Sequence, residues 1–404
     1  PWRRNGRLGP VRLSMRPVLG PPIRIFDPDQ NPIRKDKQSM KPLKKNWPQT
    51  RQHFIDWWKC RGLVLGCWGT GIDSDGPPHA DIARPSSAAD PAQYHTDPKS
   101  VAERIHYEMA RKVWPADVLP AAWADIGTVS LAPFLGAVPK YERDNIWYHS
   151  CIAEPETHPP LRYEPHAPYS QMLQAVLRAV LAHSGGHYFV GMPAIVPNLD
   201  VLAALRGTEN LLMDILERPA WVHQKLQEIE TAYRQVFEDL YDIIKDEDGS
   251  MAFGYFMLWG PGKTGLLQCD LAAMLSPRMF DDFVVPYLKQ SVNYLDYSMF
   301  HVDGHQCLAF VDPLLEIEGL RAIEWTPDPQ VPPGGAPHWY DLYQKILKAG
   351  KAVWAANLDA DEVIPLLDAI GPEGVYLNVI SAGGEKITPQ QMEQLADRIE
   401  SYRR

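Results

Sequence analysis

The chain has 404 residues, 45% of them hydrophobic and 22% charged, with a formal net charge of −10. That balance describes a soluble globular protein able to bury a large core without covalent staples, and it excludes general nucleic-acid binding. No run of roughly 18 apolar residues is present, so no membrane-spanning helix is expected.

Residues 1–50 read as a basic, proline-rich N-terminal arm. Basic residues from Arg3 to Lys45 outnumber Asp27, Asp29 and Asp36, and no apolar period holds. Such a segment suits an extended arm lying on the rest of the protein or on a partner subunit. It lacks the interleaved aromatics that would stack on bases.

Regular structure begins at about residue 51. An amphipathic stretch, Arg51 to Arg61, leads into the short apolar run Leu63 to Gly69, which reads as a buried parallel strand. A helix near Val101 to Val113 precedes a second apolar segment, Trp123 to Gly127. Residues 140–170 read as an irregular insertion rich in Tyr, Trp, His and Pro, and helix resumes from Ser170 to Ala182. A strand at His187 to Gly191 is followed by a long helix over 219–245. Pro219 opens that helix, and Val222, Leu226, Ile229, Tyr233, Val236 and Leu240 recur at helical spacing. A strand from Met251 to Trp259 is predicted next, ended by Gly260-Pro261-Gly262. Strands at Ser298–Val302, Leu320–Trp325, Ala352–Asn357 and Val375–Ile380 then alternate with helical stretches. The last helix is announced by Thr388 as N-cap with Pro389 behind it.

Strand–helix units with short links imply right-handed parallel crossovers. About eight strands are available, so the expected fold is α/β, a (β/α)8 TIM barrel over residues 51–404 with the arm in front of it. No G-x-G-x-x-G or Walker loop follows any strand, which disfavours a nucleotide-binding fold. Cys60, Cys67, Cys151, Cys269 and Cys307 are odd in number and form no CxxC pair. They fit free thiols in a reducing cytoplasm rather than a disulfide scaffold.

Function in such a barrel gathers at the C-terminal ends of the strands. That rule selects Cys67, Trp68, Trp123, Asp125, Tyr255, Trp259, His301, Asp303, His305, Glu324, Trp325, Asn357, Asp359 and Asn378. Asp270, close after the Met251–Trp259 strand, is either a ligand contact or a helix cap. His301 and Asp303 are separated by one residue, so alternation places both on one face. They suit mutual orientation for proton transfer, two ligands to a metal, or a histidine merely satisfied by its neighbour. Glu324 closes an apolar strand and needs a partner or a role. The four tryptophans at strand ends favour a flat or ring-bearing ligand.

From about residue 60 onward the chain resembles the uroporphyrinogen decarboxylase superfamily, which includes corrinoid-linked methyltransferases acting with coenzyme M. The resemblance is carried by Asp125-Ile126-Gly127 with Phe134-Leu135-Gly136, by Leu202 to Glu209, and by Leu275-Ser276-Pro277-Arg278-Met279-Phe280. It continues through Val285-Pro286-Tyr287, His301-Val302-Asp303-Gly304 and Ala356-Asn357-Leu358-Asp359. It implies methyl transfer between a corrinoid protein or methylated small molecule and an acceptor. A homodimer is implied too, which the arm would extend. Two departures bear on this. The decarboxylases' arginine-rich signature is replaced by Cys67 to Asp73, so uroporphyrinogen is not the expected substrate. The methyltransferases' His-x-Cys pair reads His301-x-Asp303, and no later cysteine stands near Ser381 to Gly384. The thiolate zinc site is thereby replaced by a harder set for zinc or another divalent metal, formed from His301, Asp303 and Glu324. The alternatives are a metal-independent decarboxylase or lyase working through Asp125 or the His301–Asp303 pair, and a non-catalytic ligand-binding barrel.

Overall fold

The computed structural model describes residues 44–69, 71–73, 82–86, 88–124, 126–127 and 129–403. Most of the expected arm, residues 1–43, and the candidate Asp125 lie outside the described residues.

The architecture is mixed α/β. The strands that position the site are β1 (Leu63–Gly66), β2 (Ala121–Ala122), β3 (Phe189–Val190), β4 (Met251–Phe253), β5 (Leu258–Gly260), β6 (Thr264–Leu267), β7 (Tyr297–Asp303), β8 (Ala322–Thr326), β9 (Ala352–Asp359) and β10 (Val375–Ala382). A parallel sheet runs β1-β10-β9-β8-β7-β6. These strands are almost wholly buried and apolar, as parallel strands covered on both faces must be. Helices Val285–Tyr294, Val311–Leu315, Tyr340–Lys348 and Val363–Ile370 fill the connections from β6 to β10. β2 and β3 form a separate parallel pair. A parallel bridge from Met192 to Phe253 joins that pair to β4. Asp117, just before β2, exchanges hydrogen bonds with the backbone of Leu65 in β1.

The helix Trp47–Trp57 has proline at its first turn and buries Thr50, Phe54 and Trp57 along one face. Phe54 packs on Trp259 and Tyr376. The Trp57 Nε1 donates to the Val353 carbonyl at 3.1 Å, and the Trp58 Nε1 to the Trp259 carbonyl at 2.8 Å. The helix therefore fills the end of the sheet where the strands begin.

The long helix is Pro219–Ile244, and its periodic apolar residues are buried as their spacing predicts. The last helix, Pro389–Ile399, starts with a full capping box between Thr388 and Gln391. The stretch read as irregular contains an antiparallel hairpin, Val138–Tyr141 with Ile146–His149.

The expected strand Met251–Trp259 is instead a hairpin. β4 and β5 run antiparallel, joined by the turn Gly254–Met257. Met257 takes φ of 51°, and a Cβ on Gly254 would lie 2.4 Å from the Trp123 Cβ, so only glycine lets the chain turn back here. β6 then supplies the parallel strand beside β7. Its four residues, Thr-Gly-Leu-Leu, follow a Pro-Gly corner and carry too little pattern to be read as a strand in advance.

The five cysteines are free. No helix among the described residues is long and apolar enough to cross a membrane.

Candidate functional site

Strand register assembles the site. His301 of β7 stands opposite Glu324 of β8, and in a parallel pair such residues share a face. The Nδ1 of His301 meets the carboxylate of Glu324, which also accepts from the Thr326 hydroxyl. Glu324 is completely buried, and the His301 side chain is 11% exposed. Burial alone would lower the histidine's pKa, but the Glu324 charge outweighs it and pushes His301 up to about 9. Burial likewise pushes Glu324 upward. The Nδ1 contact with Glu324 fixes the imidazole and leaves Nε2 on the side of Asp303.

On that side stand two further carboxylates. Asp303 Oδ2 is 4.0 Å from His301 Nε2. Asp270 arrives from the short 3-10 helix Asp270–Met274 that follows β6. One donor atom each from Asp270, His301 and Asp303 lie within 4.8 Å of one another. One imidazole nitrogen and two carboxylates, with a carboxylate behind the histidine, is a donor set that fits a divalent cation of the zinc or manganese type. Glu324, expected as a ligand, is engaged behind His301, and Asp270 completes the cluster. Asp270 is not a side-chain cap, since no side chain caps the start of its 3-10 helix at Cys269.

Asp270 is held from below by residues that sequence reasoning missed. The buried Asp200 accepts from the backbone N–H of Asp270 and of Leu271, both at 2.9 Å. Asn198 caps the helix that carries Asp200 and also donates to the Gln268 carbonyl. Burial, then the nearby Asp270 charge, pushes Asp200 up to about 7. An Asn-x-Asp before an apolar helix signals a cap; its second grip, seventy residues away, is invisible in the sequence.

The aromatic residues divide into two groups. Trp68 and Tyr255 are each 36% exposed, and their rings meet edge-on at 5.6 Å. Trp123 lies 6.4 Å from Tyr255. Phe256, also missed, is buried against His301 at 4.8 Å, Trp68 at 5.2 Å and Trp354 at 5.8 Å. The other two predicted tryptophans lie elsewhere. Trp259 comes after the reversal at Gly254–Met257, so it packs at the opposite end against Trp47 and Phe54. Trp325 alternates with Glu324, so it faces outward and packs on Trp339 at 4.8 Å.

Asn357 and Asn378 sit together at the β9–β10 junction. The register slips between Ala355 and Leu358, a β-bulge in which Asn357 takes φ of 58°. Bulges and left-handed non-glycine residues recur beside functional sites. Opposite the bulge, Asn378 is fully buried, and neither its Oδ1 nor its Nδ2 has a hydrogen-bond partner. Each unmet group of this kind costs about 1–3 kcal/mol.

No protein-family model matches the chain, and no curated protein matches it. Solved structures similar at a distance include one enzyme. It is a B12-independent methionine synthase from Shewanella sp. W3-18-1, in complex with selenomethionine. The match has 9% identity and a TM-score of 0.41, over 83% of this chain and 95% of that one. A likeness at that score carries no argument about this chain's fold or activity.

Proposed function

We propose that the chain is an enzyme that acts on a small ring-bearing molecule with a divalent cation held by Asp270, His301 and Asp303. The observation that carries this reading is the convergence of these three donors with Glu324 bound to the far nitrogen of the histidine. When bound, such a cation supplies Lewis acidity. The chain's own residues do the rest. Glu324 and Thr326 lock the imidazole, Asp200 and Asn198 hold the Asp270 loop, and Trp68, Tyr255 and Phe256 keep water from the histidine. We read the sheet as a closed (β/α)8 barrel made of β1–β3 and β6–β10, with the β4–β5 hairpin bridging β3 to β6. The cluster then lies at the barrel's C-terminal mouth.

Methyl transfer between a methylated small molecule or partner corrinoid protein and an acceptor is the reaction class that the sequence resemblance supports. A metal-free lyase or decarboxylase is the second reading. It is favoured by the proton that Glu324 keeps on His301, which suits a general acid.

Direct titration with Zn2+ and Mn2+ tests the first reading. One ion should bind per chain, and His301→Ala with Asp303→Asn should abolish binding while the fold is retained. Chelation should stop turnover and re-addition restore it. Full turnover after exhaustive chelation would sink the metal reading in favour of the second.

A further inference from the structure

We infer that Asn378 selects the substrate, and that the ligand is a planar neutral ring carrying a hydrogen-bond donor and acceptor side by side, as in a lactam or a carboxamide. The inference rests on the reading of the strand ends as a substrate site, and it adds the chemistry that the site recognises.

Asn378 alternates with Tyr376 along β10, so both face the same interior. Tyr376 marks that interior: its hydroxyl donates to the Met257 carbonyl of the aromatic turn, and its ring packs on Trp354 at 5.3 Å. Asn378 stands one step closer to the strand ends, opposite Gly66 of β1. Two residues past Gly66 comes Trp68, the residue that touches Tyr255, Phe256 and Trp354. The amide is therefore set in the layer of the aromatic group, beside the bulge at Ala356–Asn357.

Of the other buried polar groups near the site, the Trp354 Nε1 also lacks a partner, but it offers a donor only, and the carboxylates are satisfied. Glu324 has two partners, and Asp200 accepts two backbone N–H groups besides holding its place in a helix. Asn378 alone among these presents both a donor and an acceptor without partners. An amide so placed is matched in full only by a group that offers the reverse pair. A carboxylate would satisfy Nδ2 and leave Oδ1 unmet. The half-exposed faces of Trp68 and Tyr255 supply the surface on which a ring stacks. Entry requires the Gly254–Met257 turn to yield, since Phe256 covers the interior beneath them.

The test uses 2-pyridone and nicotinamide as probes, with benzoate as a ring that lacks the paired donor and acceptor. Binding is read by calorimetry and by tryptophan fluorescence on the full chain. Wild-type protein should bind both probes at least tenfold more tightly than benzoate. Asn378→Leu should weaken both probes tenfold or more while melting at or above the wild-type temperature, because it removes two unmet groups. Asn378→Ser, too short to reach both partners, should behave likewise if the leucine variant does not fold. Unchanged probe binding in either folded variant overturns the inference, as does wild-type protein that binds neither probe or does not distinguish them from benzoate. Zn2+ titration of the same proteins separates the two readings: Asn378→Leu should leave ion affinity unchanged. A wild-type protein that binds no ion refutes the metal reading without touching the ring-binding result.

Discussion

The two ends of the same strands are built by opposite rules. Where the strands begin, Trp47, Phe54, Trp57, Trp259 and Tyr376 interlock ring against ring, with tryptophan N–H groups donating to the carbonyls of Val353 and Trp259. Where they end, the buried Glu324 and Asn378 stand behind the half-buried His301 and the exposed Asp270 and Asp303, and Asn378 keeps its hydrogen bonds unmet. The first end contributes stability and tolerates no loss of volume. The second holds polar groups that folding alone gives no reason to bury, which is why it is read as the place of chemistry.

Three changes break or sharpen that contrast. The largest effect is expected from Phe54→Ala, which removes a fully buried ring from the packed end. It should cost about 3–5 kcal/mol in urea unfolding and leave ion affinity unchanged. A large loss of ion affinity at constant fold would show that the two ends are not independent. Next comes Glu324→Gln at the polar end. Removing the carboxylate behind a ligand histidine should weaken ion binding about 10- to 100-fold, read by titration, with little change in unfolding midpoint. Equal losses of stability and no loss of affinity would return Glu324 to the core.

The smallest effect concerns acid. Asp359, at the end of β9, is pulled down to about 2: burial alone would raise it, but the N–H groups of Gly384, Asp361 and Gly383 and the Ser381 hydroxyl outweigh burial. Its folded value lies below the ordinary carboxyl value, so its stabilisation is complete above about pH 4 and is lost as pH falls towards 2. Asp359→Asn should remove about 1–2 kcal/mol at neutral pH, allowing for solvent screening. It should also flatten that acid limb in pH-dependent melting.

The sequence carried the helices and the later strands well because their signals are local: the 3.6 spacing of Val222 to Leu240, the Thr388 cap, and the runs at β7 to β10. His301 and Asp303 stand out in the sequence as polar residues ending an apolar strand, whereas Asp270 is readable there only as a contact or a cap, and its nearness to them comes from the fold. The sequence misplaced Trp259 because one glycine, Gly254, reverses the chain, and the requirement for that glycine lies in Trp123, far away in sequence. It misassigned Trp325 by choosing strand ends without applying the alternation that sends Glu324 and Trp325 to opposite faces. Asp200 escaped because its partners, the N–H groups of Asp270 and Leu271, have no counterpart in any local pattern.

The pairing of β1 with β10 bears on how the protein is made. Leu63 to Gly66 find their hydrogen-bonded neighbours at Val375 to Asn378, more than three hundred residues downstream. On the ribosome, β1 therefore emerges with that flank bare and keeps it bare until Val375 to Asn378 have been synthesised. Truncation anywhere before Val375 would leave that apolar flank open for good, a template for pairing between chains. Of the strands in this sheet, β1 is the one that waits longest for its partner.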